Sequence, residues 1–157
     1  MIGVTRRLTP IKELPEAARP LAGADHAVTS ALAYTDPDEL RKIALWAADL
    51  ALTLSGTRSL PWVDTTMTAL YRGHPAPTGQ DPRAGRFLTT PEQFWAARVL
   101  EGAADPDPLT AAYLTLGHAG HAPGADLEWV MGLAPGLFPT LAASVSGPGS
   151  SPSRSAG

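Results

Sequence analysis

The chain has 157 residues, of which 44% are apolar and only 17% charged; its formal net charge is −3 and it has no cysteine. The length suits one domain that buries roughly 70% of its extended-chain surface. Without thiols, disulfides, thiolate zinc sites and cysteine nucleophiles are excluded, and the acidic balance argues against nucleic acid or an anionic membrane as a general partner.

Low charge beside ample apolar content hints that some apolar surface is covered by a partner or a second copy. Ten of the twelve basic residues are arginine and asparagine is absent, a pattern that codon bias in a GC-rich genome explains without phosphate binding. Residues 1–57 sum to −1, residues 58–98 to +2 and residues 99–157 to −4. Only the middle third could attract an anion.

Taken in chain order, residues 1–19 read as a turn-rich arm broken by Pro10 and Pro15, with no long apolar run and hence no secretory signal. A helical domain over 20–145 follows. Leu21, Ala24, Val28, Ala31 and Leu32 predict one alanine-rich helix over about 20–34, with His26, Thr29, Ser30 and Ala33 on its exposed face. Asp36-Pro37-Asp38-Glu39 then combines an acceptor at the N-cap, proline at the first helical position and a glutamate at N3.

The helix it starts is the clearest in the chain. Leu40, Ile43, Ala44, Ala47, Leu50, Ala51 and Leu54 form one apolar face, Leu45, Trp46, Ala48 and Leu52 another, with Asp49 the interruption and Gly56 the stop. A helix apolar on all sides belongs at the centre of a fold or in an interface, so 40–54 is taken as the hub.

Residues 61–72 predict a short helix with Val63, Met67, Leu70 and Tyr71 inward, stopped by Gly73. Thr90-Pro91-Glu92-Gln93 repeats the start signal for a helix over 91–102 with Phe94, Ala97 and Leu100 on its inner side. Asp107-Pro108 opens another over 108–116, lined by Leu109, Ala112, Tyr113 and Leu116. A last helix over 125–134 resumes beyond Pro135 and Pro139; Glu128 and the two prolines interrupt 127–145 too often for a membrane span. The serine- and glycine-rich tail 146–157 predicts disorder. With no sustained strand alternation and no Asn-Gly or Asp-Gly hairpin, the expectation is an all-α fold: a single compact bundle of about six helices around 40–54.

Two stretches carry candidate sites. In 117–129, His118 and His121 stand three apart, with Asp126 and Glu128 following, and two imidazoles plus a carboxylate suit a divalent metal. Gly117, Gly120 and Pro123-Gly124 instead mark a turn, with Gly117 or Gly120 as the left-handed residue that ends a helix. The turn is the preferred reading. In the connection 72–87, Arg72, His74, Arg83 and Arg86 face a single acid, Asp81; such a loop could bind an anion or an acidic partner.

No Gly-x-Ser-x-Gly elbow, phosphate loop or dinucleotide fingerprint is present, and Trp46, Trp62, Trp95 and Trp129 read as core or interface anchors. The function expected is a non-enzymatic, cytoplasmic interaction or regulatory protein that self-associates, without cofactor or membrane. The alternatives are a metal-dependent enzyme using His74, His118, His121 and Glu128, and a small DNA-associated regulator using the 72–86 loop with Arg6 and Arg7.

Overall fold

A computed structural model describes residues 8–74 and 90–145; Arg6, Arg7, Arg83, Arg86 and the 146–157 tail lie outside the described residues. The described chain is all-α. Two 3-10 turns, Ile11–Glu13 and Glu16–Ala18, precede α1 (Arg19–Ala24), α2 (His26–Leu32), α3 (Pro37–Ser55), α4 (Pro61–Tyr71), α5 (Pro91–Ala103), α6 (Pro108–Gly120), α7 (Leu127–Leu137) and α8 (Pro139–Val145).

Side-chain acceptors start five of these helices. The carboxylate of Asp36 accepts from the Asp38 amide, Thr90 Oγ1 from Gln93 and Asp107 from Thr110, as the sequence pattern predicts. Asp25 caps α2 by accepting from Val28, and Asp126 caps α7 by accepting from Trp129. Breaks at Asp25 and Phe138 turn six expected helices into eight. Asp25 adopts an extended backbone that splits 20–34 into α1 and α2. Phe138, also extended, separates α7 from α8, while Pro135 stays inside α7.

The hub is α3, which runs along α6 and also contacts α4 and α5. Leu40, Ile43, Ala44, Ala47 and Ala51 are buried on one side, Leu45, Ala48 and Leu52 on the other, so the chain itself covers most of both apolar faces and leaves Trp46, Leu50 and Leu54 half-buried. Gly56, at φ +78°, supplies the left-handed residue that ends α3. Arg41 ties the hub to the α5–α6 turn: its guanidinium donates to the carbonyls of Ala103 at 3.2 Å, Asp105 at 2.9 Å and Pro106 at 3.2 Å. A cation on the last carbonyls of α5 also meets the negative end of that helix.

Three expectations about side-chain facing are corrected. Thr29 and Ser30 are buried rather than exposed, because α8 packs on α2. Tyr71 and Phe94 are 51% and 52% exposed rather than inward; both sit near helix ends, where the neighbouring helices no longer cover them. The arm docks from Thr9 onward. His26 Nε2 meets the Thr9 carbonyl, Arg19 Nε donates to Leu14 O, and Leu14 and Ala18 join the core.

Neither Gly117 nor Gly120 ends α6 in a left-handed conformation; the helix runs through both, and the left-handed glycine of this region is Gly124, φ +79°. Gly120 is there for a close approach. A Cβ on it would stand 2.4 Å from Leu127 Cδ2 and 3.0 Å from Leu127 Cα, whereas one on Gly117 meets nothing within 4 Å. Gly120→Ala should therefore destabilise the fold by about 1–3 kcal/mol through overpacking. Gly117→Ala should stabilise it by up to ~1 kcal/mol through helix propensity. Urea unfolding of the two variants, read as midpoint shifts of opposite sign, checks the pair.

Candidate functional site

The histidine-rich stretch 117–129 is built as a helix end and a turn. His118 lies on α6 against Trp95 of α5, ring centroids 6.4 Å apart and nearly perpendicular. Gly102 lies beneath it: a Cβ there would touch the His118 ring at an ordinary 3.6 Å and press on Leu114 Cβ at 3.1 Å. Burial, then the nearby positive charge of Arg98 and of His121, lowers the His118 pKa to about 4, so the ring is neutral at pH 7. His121 is the C-cap of α6, with Nδ1–H donating to Gly117 O at 2.8 Å. Asp126 is committed to the α7 cap, at 2.8 Å from the Trp129 amide. Among the described residues, no three His, Asp or Glu side chains converge as metal ligands, so His74, His118, His121 and Glu128 are not brought together.

Of the basic-loop residues, the structure describes Arg72 and His74. Arg72 caps α4 and His74 follows it; both are exposed and line a shallow depression of about 360 Å³ with Asp64, Thr65 and Thr68. The His74 amide donates to Ala69 O at 2.9 Å, which folds the chain back over the end of α4.

A larger groove lies where the C-terminal turn of α4 meets α3. It measures about 510 Å³ and is lined by Leu45, Trp46 and Leu50 below, with Lys42, Asp49, Thr53 and Tyr71 around them. Asp49, the one charged residue on the second half of the hub, organises this rim. Its Oδ1 accepts from Arg58 Nε at 3.0 Å and Thr53 Oγ1 at 3.4 Å, and its Oδ2 accepts from the Tyr71 hydroxyl at 2.8 Å. Arg58 in turn reaches Asp64 Oδ1 at 2.9 Å. Tyr71 exposes its ring, but burial around the hydroxyl, then the hydrogen bond to Asp49 and its charge, pushes the phenol pKa up to about 12. The hydroxyl is thus a fixed donor at neutral pH and no general base.

The remaining feature is α7. Val130, Met131 and Ala134 are buried, while Trp129, Leu133 and Leu137 are 45%, 37% and 55% exposed. These three recur every four residues and so share one face. Gly132 and Gly136 lie on the same arc, and a Cβ on either would meet nothing within 4 Å. Glu128 is the only charged residue of the helix. Trp46, Trp62 and Trp95 are partly buried against the core, which leaves Trp129 as the exposed tryptophan. The sequence signal was available: an almost uncharged helix apolar all round.

No family model, curated protein or solved structure matches this chain.

Chemically, Asp36, Asp107, Asp126 and His121 are engaged at helix ends, His118 in packing, and Asp49, Arg58 and Asp64 in mutual pairing. Among the described residues, no helix is long and apolar enough to cross a membrane. His118 has a measurable consequence. Its folded pKa of about 4 lies below the unfolded value of 6.5, so the neutral ring contributes stability that is complete above pH 6.5 and is lost as pH falls from 6.5 towards 4. That loss amounts to about 3 kcal/mol at most. Urea unfolding across this window should be much steeper in pH for the wild type than for His118→Leu, and equal slopes would contradict the assignment.

Proposed function

We propose that the protein works without catalysis, through protein–protein contact, and that its primary contact is with a second copy of itself across the exposed face of α7. The observation that carries the reading is α7 itself, a helix apolar around its circumference with one side left uncovered. Such a helix is ordinarily buried, and exposed apolar patches commonly mark interaction sites.

Charge favours a second copy as the occupant. A two-fold contact brings the same patch against itself, so a face dense in one sign of charge would repel its copy. Here Glu128 stands alone, at the edge of the face. An antiparallel crossing centred on Leu133 sets each Trp129 against the other chain's Leu137, four residues to either side. The open space over Gly132 and Gly136 lets the two backbones approach. The face amounts to a few hundred Å², below the roughly 800 Å² per partner of a standard interface. The association expected is therefore weak and concentration-dependent.

Sedimentation equilibrium over about 5–500 μM tests this. The average mass should climb from monomer towards dimer, and Leu133→Glu should remain monomeric with unchanged helical circular dichroism. A monomer throughout the range, or a dimer indifferent to Leu133→Glu, would overturn the reading.

A further inference from the structure

The groove between α3 and the end of α4 has the size of a small-molecule site, about 510 Å³ against roughly 300–1,000 Å³ for such sites generally. Its floor is apolar and aromatic. Trp46 is held edge-on by Phe138, with centroids 5.8 Å apart and planes at 69°, and it stays only partly buried, so indole surface remains for stacking. Leu45 and Leu50 continue the floor on either side along α3.

The polar rim selects for charge. Both Asp49 oxygens are occupied, one by Arg58 and Thr53, the other by Tyr71. Tyr71 and Thr53 have directed their hydroxyl protons at that carboxylate, so towards the groove they offer lone pairs alone. Lys42 is the one lining charge with no ion pair among the described residues. A ligand thus meets a single ammonium at one end and acceptors elsewhere. That arrangement suits a monoanion and disfavours a phosphate, whose further anionic oxygens would face those lone pairs.

The wall is also fixed in advance. Tyr71 is held by Asp49, Asp49 by Arg58, and Arg58 by Asp64, so binding does not have to order the aromatic side of the groove. We infer that this groove is a binding site for a flat aromatic carboxylate, its ring on Leu45, Trp46 and Leu50 and its carboxylate at the Lys42 ammonium. No residue of α7 lines the groove, so this site and the self-association face can fail separately.

The probe is 2-naphthoate, with neutral 2-naphthamide for comparison, titrated calorimetrically and by backbone amide chemical shifts. Wild-type protein should bind 2-naphthoate about fivefold or more tightly than the amide, with shifts concentrated on 42–53 and Tyr71. Lys42→Met keeps the stem length and removes the charge from an exposed position, and it should bring the two affinities together. Tyr71→Phe, which frees the ring from Asp49, should weaken both ligands alike by about two- to threefold. Equal wild-type affinities, shifts mapping elsewhere, or no saturation by about 5 mM would each overturn the assignment.

Discussion

The burial of α3 on both sides is the constraint on which the rest of the structure depends. Ala44, Ala47, Ala48 and Ala51 are fully buried along it, and α6 brings Ala111, Ala112 and Ala119, equally buried, to its own core face. Interhelical spacing follows the size of the side chains at the contact, so two alanine-rich faces let these helices lie close along much of their length. Larger residues then close the ends and flanks: Leu40, Ile43 and Leu52 from α3, Leu116 from α6. Because α3 is held this firmly, the polar residues that project from it can act as fixed points. Arg41 reaches the carbonyls at the end of α5, and Asp49 gathers Thr53, Arg58 and Tyr71.

Backbone signals were the most legible part of the sequence. Asp36-Pro37, Thr90-Pro91 and Asp107-Pro108 start helices where they should, and Gly56 stops one, because a cap or a left-handed turn is decided within a few residues. Asp25 lacked the following proline that marked the others, so the boundary it makes between α1 and α2 went unseen, whereas the helix that Asp126 caps was expected from 125. Facing was less legible. The period of Tyr71 and Phe94 is right for the inner side of their helices, but each lies where its neighbours end, and exposure depends on those neighbours. Ser30 shows the converse: a polar residue on a locally outward face is buried because α8 folds back over α2. The Asp49 rim joins residues up to 22 positions apart in sequence, and no local pattern could have assembled it.

The hub and α7 show why composition alone does not locate an interface. Both helices carry apolar residues on more than one face, and the same argument applied to either suggests contact with something else. Within the chain α3 finds cover on two sides, since alanine faces can be approached closely by α6. The outer face of α7 alternates two glycines with Trp129, Leu133 and Leu137, and no described element lies over it. Glycine in a helix interior costs about 1 kcal/mol relative to alanine, and at Gly132 and Gly136 nothing inside the fold requires it.

The proposal of binding rather than catalysis draws on the chemistry of particular groups. A general acid or base needs a titratable group near neutrality and free to reach a substrate. His118 is neutral and packed against Trp95, His121 closes a helix, and Tyr71 holds its proton until about pH 12 in a bond to Asp49. In the groove Asp49, Arg58 and Tyr71 are tied to one another. Surface ion pairs such as Asp49–Arg58 and Arg58–Asp64 contribute only about 0–1 kcal/mol to stability, so their larger effect is geometric. They keep an exposed aromatic ring at the edge of the groove, leaving Lys42 as the one charge there still able to take a partner.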